Sequence, residues 1–384
     1  DDDIGAHAAL ALDGLLVHDP TARRPSSDRL RIAQLVLAGK LDGQLSLGGR
    51  GDTGGVASLL VSLGEALARR DDVEHVVTIG RGSAIDALTG ADLGSSDQSF
   101  GMVTVDELRA PEATSWEHLP ALERGIRRQL RLAAPIDVLH LRMADVGTLA
   151  GATVARRHDL PICFSCAPDP HNVIGFLQTS GRLDAESFVQ LDQDADIWFR
   201  ARLIEHLTRT AERVALFPRS RQEALFAQLG VEPDDVRRRS AVVPEGVDVG
   251  LIRRAAERHA TPTTATGRTD DRRDIRSVLA NAIPPHRRGL PLVISVGRLH
   301  PVKGMDRVAA AWAHDPELRA TRNLVIVGGD LDDPSPIETT VMHAIDEAVP
   351  TVHRDGLVML GGRPRSDVAA LVTSAAAGLS LIHI

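Results

Sequence analysis

One pattern constrains this chain more than any other: apolar runs of strand length alternate with segments of helical period, and the alternation occurs twice. Arg31–Ala38 reads as a buried strand. Gly55–Arg69 reads as a helix, with Val56, Leu59, Leu60, Leu63 and Leu67 at helical spacing. Val76–Ile79, Ile136–Leu141 and Pro161–Ser165 are further strands, with a helix over Asp145–Arg157 between the last two. A helix over Ile197–Arg213, a strand over Val214–Phe217 and a short helix over Gln222–Leu229, closed by Gly230, complete the first series. Strands alternating with helices imply a parallel sheet covered on both faces.

Residues 258–289 break the rhythm. They are rich in Thr, Arg, Asp and Pro and read as a linker or surface insertion. The rhythm then restarts, with strands at Leu292–Val296, Leu324–Val327 and Leu357–Leu360 and helices at Met305–Trp312, Ile337–Ala348 and Asp367–Ala376. Ser366 is the expected N-cap of the last helix. A final strand is expected at Gly378–Ile382, open at its edge. The expected organisation is therefore an N-terminal extension over 1–28, a first α/β domain over 29–257, the linker over 258–289, and a partial second domain over 290–384. A length of 384 residues suits two domains that each bury a core.

Composition excludes several classes. No apolar run approaches the ~18 residues a membrane span needs. Asp1-Asp2-Asp3 is the opposite of a signal peptide's basic start, so the cytoplasm is the expected compartment. The absence of an initiator Met reads as a chain that begins inside a longer gene product. A net charge of −8 argues against nucleic acid as the main partner. The oligomeric state is left open. Cys163 and Cys166 form a C-x-x-C at the end of a strand rather than at a helix start, and no second pair exists for a zinc site, so they read as core or pocket-wall residues. Lys40 and Lys303 are the only lysines in a chain whose other strong cations are all arginine. A lysine that survives such a bias marks a position where a compact point charge does not exchange with a planar fork.

Two motifs carry chemistry. The first is Gly48-Gly-Arg-Gly-Asp52-Thr-Gly54-Gly55, directly before a helix. Glycines there let backbone N–H groups approach an anion at the positive helix end. Its formal match to the dinucleotide fingerprint is weak, because about ten residues separate it from the preceding strand. The second is Gly297-Arg298-Leu-His-Pro-Val-Lys303-Gly304, after a buried strand and before a helix. Two cations flanking such a turn suit a diphosphate, with Arg298 as a fork on one phosphate and Lys303 as a point charge on the other. Ligands of open α/β sheets sit at the carboxyl ends of strands, where this loop falls.

These segments together resemble the retaining glycosyltransferases of family 4, the sucrose-phosphate-synthase and sucrose-synthase branch in particular. Leu45-Ser-Leu-Gly48 followed by Asp52-Thr-Gly-Gly55 is similar to that branch's glycine loop. Val138-Leu-His140-Leu-Arg142-Met-Ala-Asp145-Val-Gly147 is similar to its His-x-His-Tyr-Ala-Asp-Ala-Gly. Arg202, Arg221-Gln222-Glu223 and Pro244-Glu-Gly246-Val-Asp248 resemble its acceptor-side and junction motifs. The likeness covers residues 31–384. Three departures fall on the acceptor side: Val56 replaces a glutamine, Arg142 the second histidine, and Ala167 an active-site histidine, whose role His171 could take from a shifted position. The family's Glu-x7-Glu, one carboxylate over the donor sugar and one on the ribose, does not follow Gly378–Ile382.

The resemblance implies a GT-B fold, two facing Rossmann-like domains with parallel sheets, the second incomplete. It implies transfer of a hexose, UDP-glucose being the favoured donor, to a sugar or sugar-phosphate acceptor with retention. The nucleotide sugar is a co-substrate, and neither a metal nor a cofactor is required. The expected catalytic residues are Arg298, Lys303 and His171. Gly54, Gly55, Arg298 and Lys303 would hold the donor, and Asp52, Arg142, Asp145 and Arg202 the acceptor. Without the Glu-x7-Glu motif, the chain as given is expected to be an inactive fragment. Two alternatives stay open: a non-enzymatic nucleotide-sugar-binding or regulatory module, and a GT-B-fold nucleotide-sugar epimerase.

Overall fold

The computed structural model describes residues 5–6, 9, 28–40, 55–85, 97–104, 116–166, 170–179, 181, 183–218, 227, 233–244, 246, 249–260 and 275–377. The chain divides into two compact units, the first comprising Asp1–Gln44 and Leu59–Gly246 and the second Leu45–Ser58 and Val247–Ile384. The helix expected over Gln222–Leu229, the strand expected at Gly378–Ile382, and the loop positions Asp52 and Gly54 lie outside the described residues.

The first unit is built on a seven-stranded, all-parallel sheet. Its strands are β1 (Leu30–Lys40), β2 (Val73–Gly82), β3 (Gln98–Thr104), β4 (Val138–Leu141), β5 (Ile162–Ser165), β6 (Arg213–Leu216) and β7 (Ser240–Val242). Their order is β3-β2-β1-β4-β5-β6-β7. The direction of winding therefore reverses between β1 and β4, whose registers join Ile32 to Val138 and Leu35 to Leu141. The helices are α1 (Gly55–Ala68), α2 (Leu119–Leu132), α3 (Val146–Arg157), α4 (Pro170–Thr179), α5 (Ala185–Ala195), α6 (Ile197–Thr210) and α7 (Pro233–Arg237). One core joins Leu35, Leu139, Leu141 and Phe164 from the sheet to Leu122 and Ile126 of α2, Ala150 and Val154 of α3, and Ile204 and Leu207 of α6.

Two features dock helices closely. Gly151 of α3 faces Leu35 and Leu141, and a Cβ there would stand 2.5 Å and 2.9 Å from their methyl carbons. On α1, Gln34 donates to Leu60 O at 3.3 Å and Gln98 to Val61 O at 3.3 Å, and Gly64 leaves room for both amides. Buried amides in a parallel sheet are tolerated because they are hydrogen-bonded; here they fasten the helix.

The second unit has a three-stranded parallel sheet, ordered β10-β9-β8, from β8 (Leu292–Val296), β9 (Asn323–Val327) and β10 (Leu357–Met359). Its helices are α8 (Val249–Ala260), α9 (Ile275–Ala282), α10 (Met305–His314), α11 (Pro316–Thr321), α12 (Pro336–Ala348) and α13 (Arg365–Ala377). Alternation along β9 sends Leu324 and Ile326 to one core with Met305, Trp312 and Ile345, and Val325 and Val327 to another with Leu279 and Leu371. Both faces are covered, as a parallel sheet requires. The structure differs from the sequence expectation in the stretch 258–289, where α9 supplies core residues. It also packs α8 against α13, inside the second unit. Ser366 lies within the first turn of α13 rather than ahead of it. The fold is α/β of the GT-B class, with two Rossmann-like units on parallel sheets, the second limited to three strands among the described residues.

Candidate active site

In the first unit, chemistry gathers at the reversal between β1 and β4, where open α/β sheets place ligands. β4 delivers His140, then Arg142 and Asp145 past its carboxyl end. Asp145 N-caps α3: its Oδ1 accepts from Thr148 N–H at 2.7 Å. The residue is 5% exposed, and its Oδ2 is buried without a hydrogen-bond partner. Burial raises its pKa, opposed by the Thr148 hydrogen bonds and by the charge of Arg200. A carboxylate held this way offers one oxygen to a hydroxyl or a cation.

Arg142 is buried too, and its guanidinium lies 4.8 Å from the ring centroid of Phe217, which follows β6. The side chain thus crosses the end of β5 and is held by an aromatic face. His140 Nε2 pairs with Ser165 Oγ at 2.8 Å, across from β4 to β5. Burial, and then the charge of Arg142, push the His140 pKa down to about 4, so it is neutral at pH 7.

The other acceptor-side candidates are placed differently. Arg202 is on an exposed helix face, ion-paired to Glu205 and lying over the Trp198 ring at 5.9 Å. The arginine whose charge reaches Asp145 is Arg200, two residues earlier. Sequence alone does not phase α6 against α3, and the signal that could have found Arg200 is the helical stagger from Ile197, Ile204 and Leu207 on the core side. His171 stands in the first turn of α4, half-buried. Gly55 opens α1. Cys166 is buried, and burial raises the Cys163 thiol pKa, so neither is a poised nucleophile.

In the second unit the loop after β8 carries Arg298 and Lys303. Pro301–Lys303 forms a 3-10 turn, and Gly304, at φ 64°, precedes α10 without any side-chain cap on the helix. That leaves the helix N-terminus to backbone N–H groups alone, the usual ground for an anion. Lys303 is exposed, but its Cγ and Cδ lie 3.8 Å from where a Cβ on Gly297 would stand. The stem therefore folds back over the end of β8, toward the stretch that carries Arg298. The neighbouring loop after β9 approaches so closely that a Cβ on Gly328, at φ 138°, would overlap Gly297 O at 1.6 Å. Gly297 N–H extends the ladder to Val327 O at 3.0 Å. Glu338 of α12 fixes the far side of that second loop, accepting from Asp330 N–H at 3.2 Å and Ser335 N–H at 2.9 Å. Two backbone loops are thus pressed together at the end of β8, where the Lys303 stem folds back.

No protein-family model matches the sequence, and no curated protein matches it. Solved structures do share the fold. A sucrose-phosphate synthase from Thermosynechococcus elongatus superposes with a TM-score of 0.59 at 18% identity, over 90% of this chain and 74% of that one. The N-terminal domain of a Candida albicans trehalose-6-phosphate phosphatase gives 0.56 at 14% identity, over 91% and 76%. A UDP-forming α,α-trehalose-phosphate synthase from Burkholderia xenovorans, in complex with glucose-6-phosphate, gives 0.55 at 13% identity, over 90% and 78%.

Proposed function

We propose that the chain belongs to a nucleotide-sugar-dependent hexosyltransferase of the sucrose-phosphate-synthase-like branch, acting in the cytoplasm with retention and without a metal. The observation that carries this is the Arg298–Lys303 loop, with Lys303 folded over Gly297 beside an uncapped helix N-terminus. When an acceptor hydroxyl replaces the diphosphate at the anomeric carbon, negative charge builds on the departing phosphate. Preorganised cations and backbone N–H groups aimed at that charge supply the electrostatic stabilisation that dominates such reactions. UDP-glucose is the favoured donor. In the first unit Asp145 would accept from a sugar hydroxyl, and Arg142 and Arg200 would meet an anionic acceptor group. The solved relatives that make sugar phosphates support this reading.

Calorimetric titration with UDP and UDP-glucose tests the reading. Lys303→Ala and Arg298→Ala should each weaken binding by about 10–100-fold, the loss of one charge-assisted contact. Equal affinity in folded variants would remove the diphosphate assignment. Sugar transfer by the chain would refute the expectation of an inactive fragment. An isomerised UDP-sugar would favour an epimerase.

A further inference from the structure

One buried carboxylate of the second unit makes more bonds than its helix needs. Ser335 is the N-cap of α12, and Glu338 is the third residue of that helix. In a capping box, one oxygen of such a glutamate accepts from the N-cap N–H, and the rest of the side chain can stay in water. Here Oε2 fills that role, accepting from Ser335 N–H at 2.9 Å and from Ser335 Oγ–H at 2.8 Å. Yet Glu338 is only 6% exposed. Burying a carboxyl group is costly unless it is hydrogen-bonded. The second oxygen, Oε1, accepts from Asp330 N–H at 3.2 Å, in the loop after β9.

That loop is held from outside. Gly328 and Gly329 have φ 138° and 77°, and glycines supply no side chain to anchor such a turn. Gly328 N–H donates to Gly361 O at 2.9 Å, and Gly362 N–H to Gly329 O at 2.7 Å. A Cβ on Gly329 would stand 2.5 Å from Leu299 Cδ1 and 3.2 Å from Glu338 Oε1. The missing Cβ thus lets the leucine and the carboxyl group meet at one glycine. Leu299 follows Arg298, is 1% exposed, and shares a core with Met305. Two short turns connect it to both cations: His300 N–H donates to Arg298 O at 2.9 Å, and Lys303 N–H to His300 O at 2.8 Å.

We propose that Glu338 is a positioning residue for the Arg298–Lys303 loop. Its carboxyl group fixes Gly329–Asp330, Gly329 seats Leu299, and Leu299 holds the cation loop on the core. This rests on the diphosphate reading of that loop and deepens it. Cations held in place before an anion arrives bind it with a smaller ordering cost. Glu338 acts through Leu299 and needs no contact with the ligand.

The test compares the 384-residue chain with variants of the path and of the cap. Glu338→Ala removes both acceptors. Glu338→Gln keeps one carbonyl oxygen for Asp330 N–H. Ser335→Ala removes the cap hydroxyl and leaves Oε1 in place. Leu299→Ala cuts the path at its other end. Hydrogen exchange on peptides covering 298–304 should be about tenfold faster in Glu338→Ala and Leu299→Ala, and within about twofold of the parent in the other two. By calorimetry, UDP should bind about tenfold more weakly to Glu338→Ala and Leu299→Ala, and within about threefold of the parent to the other two. Urea midpoints establish which variants are folded. A cap alone would lower the midpoints of Glu338→Ala and Ser335→Ala and leave the folded loop and its UDP affinity unchanged, which would overturn the proposal. Equal effects of Ser335→Ala and Glu338→Ala on exchange would also overturn it. Should Glu338→Ala not fold, parental exchange and affinity in Leu299→Ala would overturn it. Absence of UDP binding by the parent chain would remove the diphosphate reading, and exchange over 298–304 would still decide whether Glu338 holds the loop.

Discussion

Gly151→Ala and Gly175→Ala are the same chemical change in two helices of one unit, and the structure gives them opposite signs. At Gly175, in α4, a Cβ meets nothing within 4 Å. Alanine there gains helix propensity and loses unfolded-chain entropy, about 0.5–1 kcal/mol of stabilisation. At Gly151 the new methyl would stand 2.5 Å from Leu35 Cδ2 and 2.9 Å from Leu141 Cδ2. Carbon contacts settle near 3.5–4.0 Å, so about 1 Å must be found. Leu35 is 2% exposed and Leu141 0%, so neither methyl can move aside without displacing packed neighbours. Overpacking of this kind costs about 2–3 kcal/mol, and the propensity gain offsets about 1, leaving a net loss of about 1–2 kcal/mol. The two cysteines make a selective assay, since Cys163 and Cys166 are the only thiols and both belong to β5 or its end in the first unit. Pulsed thiol labelling across a urea gradient therefore reports on that unit alone. The Gly151→Ala midpoint should fall and the Gly175→Ala midpoint should rise. A Gly151→Ala protein as stable as the parent would refute the close approach of α3 to β1 and β4.

Two further outcomes follow from buried polar groups. His140 has a folded pKa of about 4 against 6.5 for an ordinary histidine, so between those values the unfolded chain binds the extra proton. Stability of the first unit should therefore rise with pH across that window and be lost as pH falls toward 4, by up to about 3 kcal/mol; urea midpoints at pH 4.5 and 7 should converge in His140→Gln, and an undiminished pH difference in that variant would exclude His140 as the cause. In the second unit Arg287 donates to Asn323 Oδ1 at 2.9 Å, Arg319 O at 2.6 Å and Arg322 O at 2.8 Å. Arg287→Ala takes this donor from the buried Asn323 Oδ1, while Asn323 Nδ2 keeps the Arg287 and Leu290 carbonyls, and should destabilise this unit by about 1–3 kcal/mol, read from the Trp312 emission shift on urea unfolding, with an unchanged midpoint refuting the role.

The sequence made much of this fold legible because parallel strands buried on both faces appear as continuous apolar runs. Leu292–Val296 is a strand with the expected bounds, and Leu324–Val327 and Leu357–Leu360 differ from β9 and β10 by one residue. β3 has no such run. It begins Gln98-Ser99, and Gln98 is buried because it bonds Val61 O of α1, a long-range match that no local window contains. β7 is a three-residue edge strand, too short to show a period. α2 is amphipathic, with Leu122, Ile126 and Leu130 buried, but its four arginines dilute the apolar signal.

The candidate site divides along the same physical line. Arg298 and Lys303 are legible because both belong to one loop between a strand and a helix, so local order fixes their neighbourhood. The close approach of the next loop to Gly297 is legible only in three dimensions. Gly328 is separated from Gly297 by a whole βα unit, and only the strand pairing of β8 with β9 brings Gly297 O to where a Cβ on Gly328 would be. The candidates of the first unit depend on such distant matches throughout. Asp145 caps α3, and Arg200 belongs to α6. Which of two arginines separated by one residue turns toward Asp145 is a question of helix phase, set by the packing of Ile204 and Leu207 into the core. The Arg298–Lys303 loop is thus encoded in a contiguous motif, and the surroundings of Asp145 in the docking of helices on one sheet. Substitutions that re-phase those helices can change the surroundings of Asp145 while leaving the Arg298–Lys303 loop untouched.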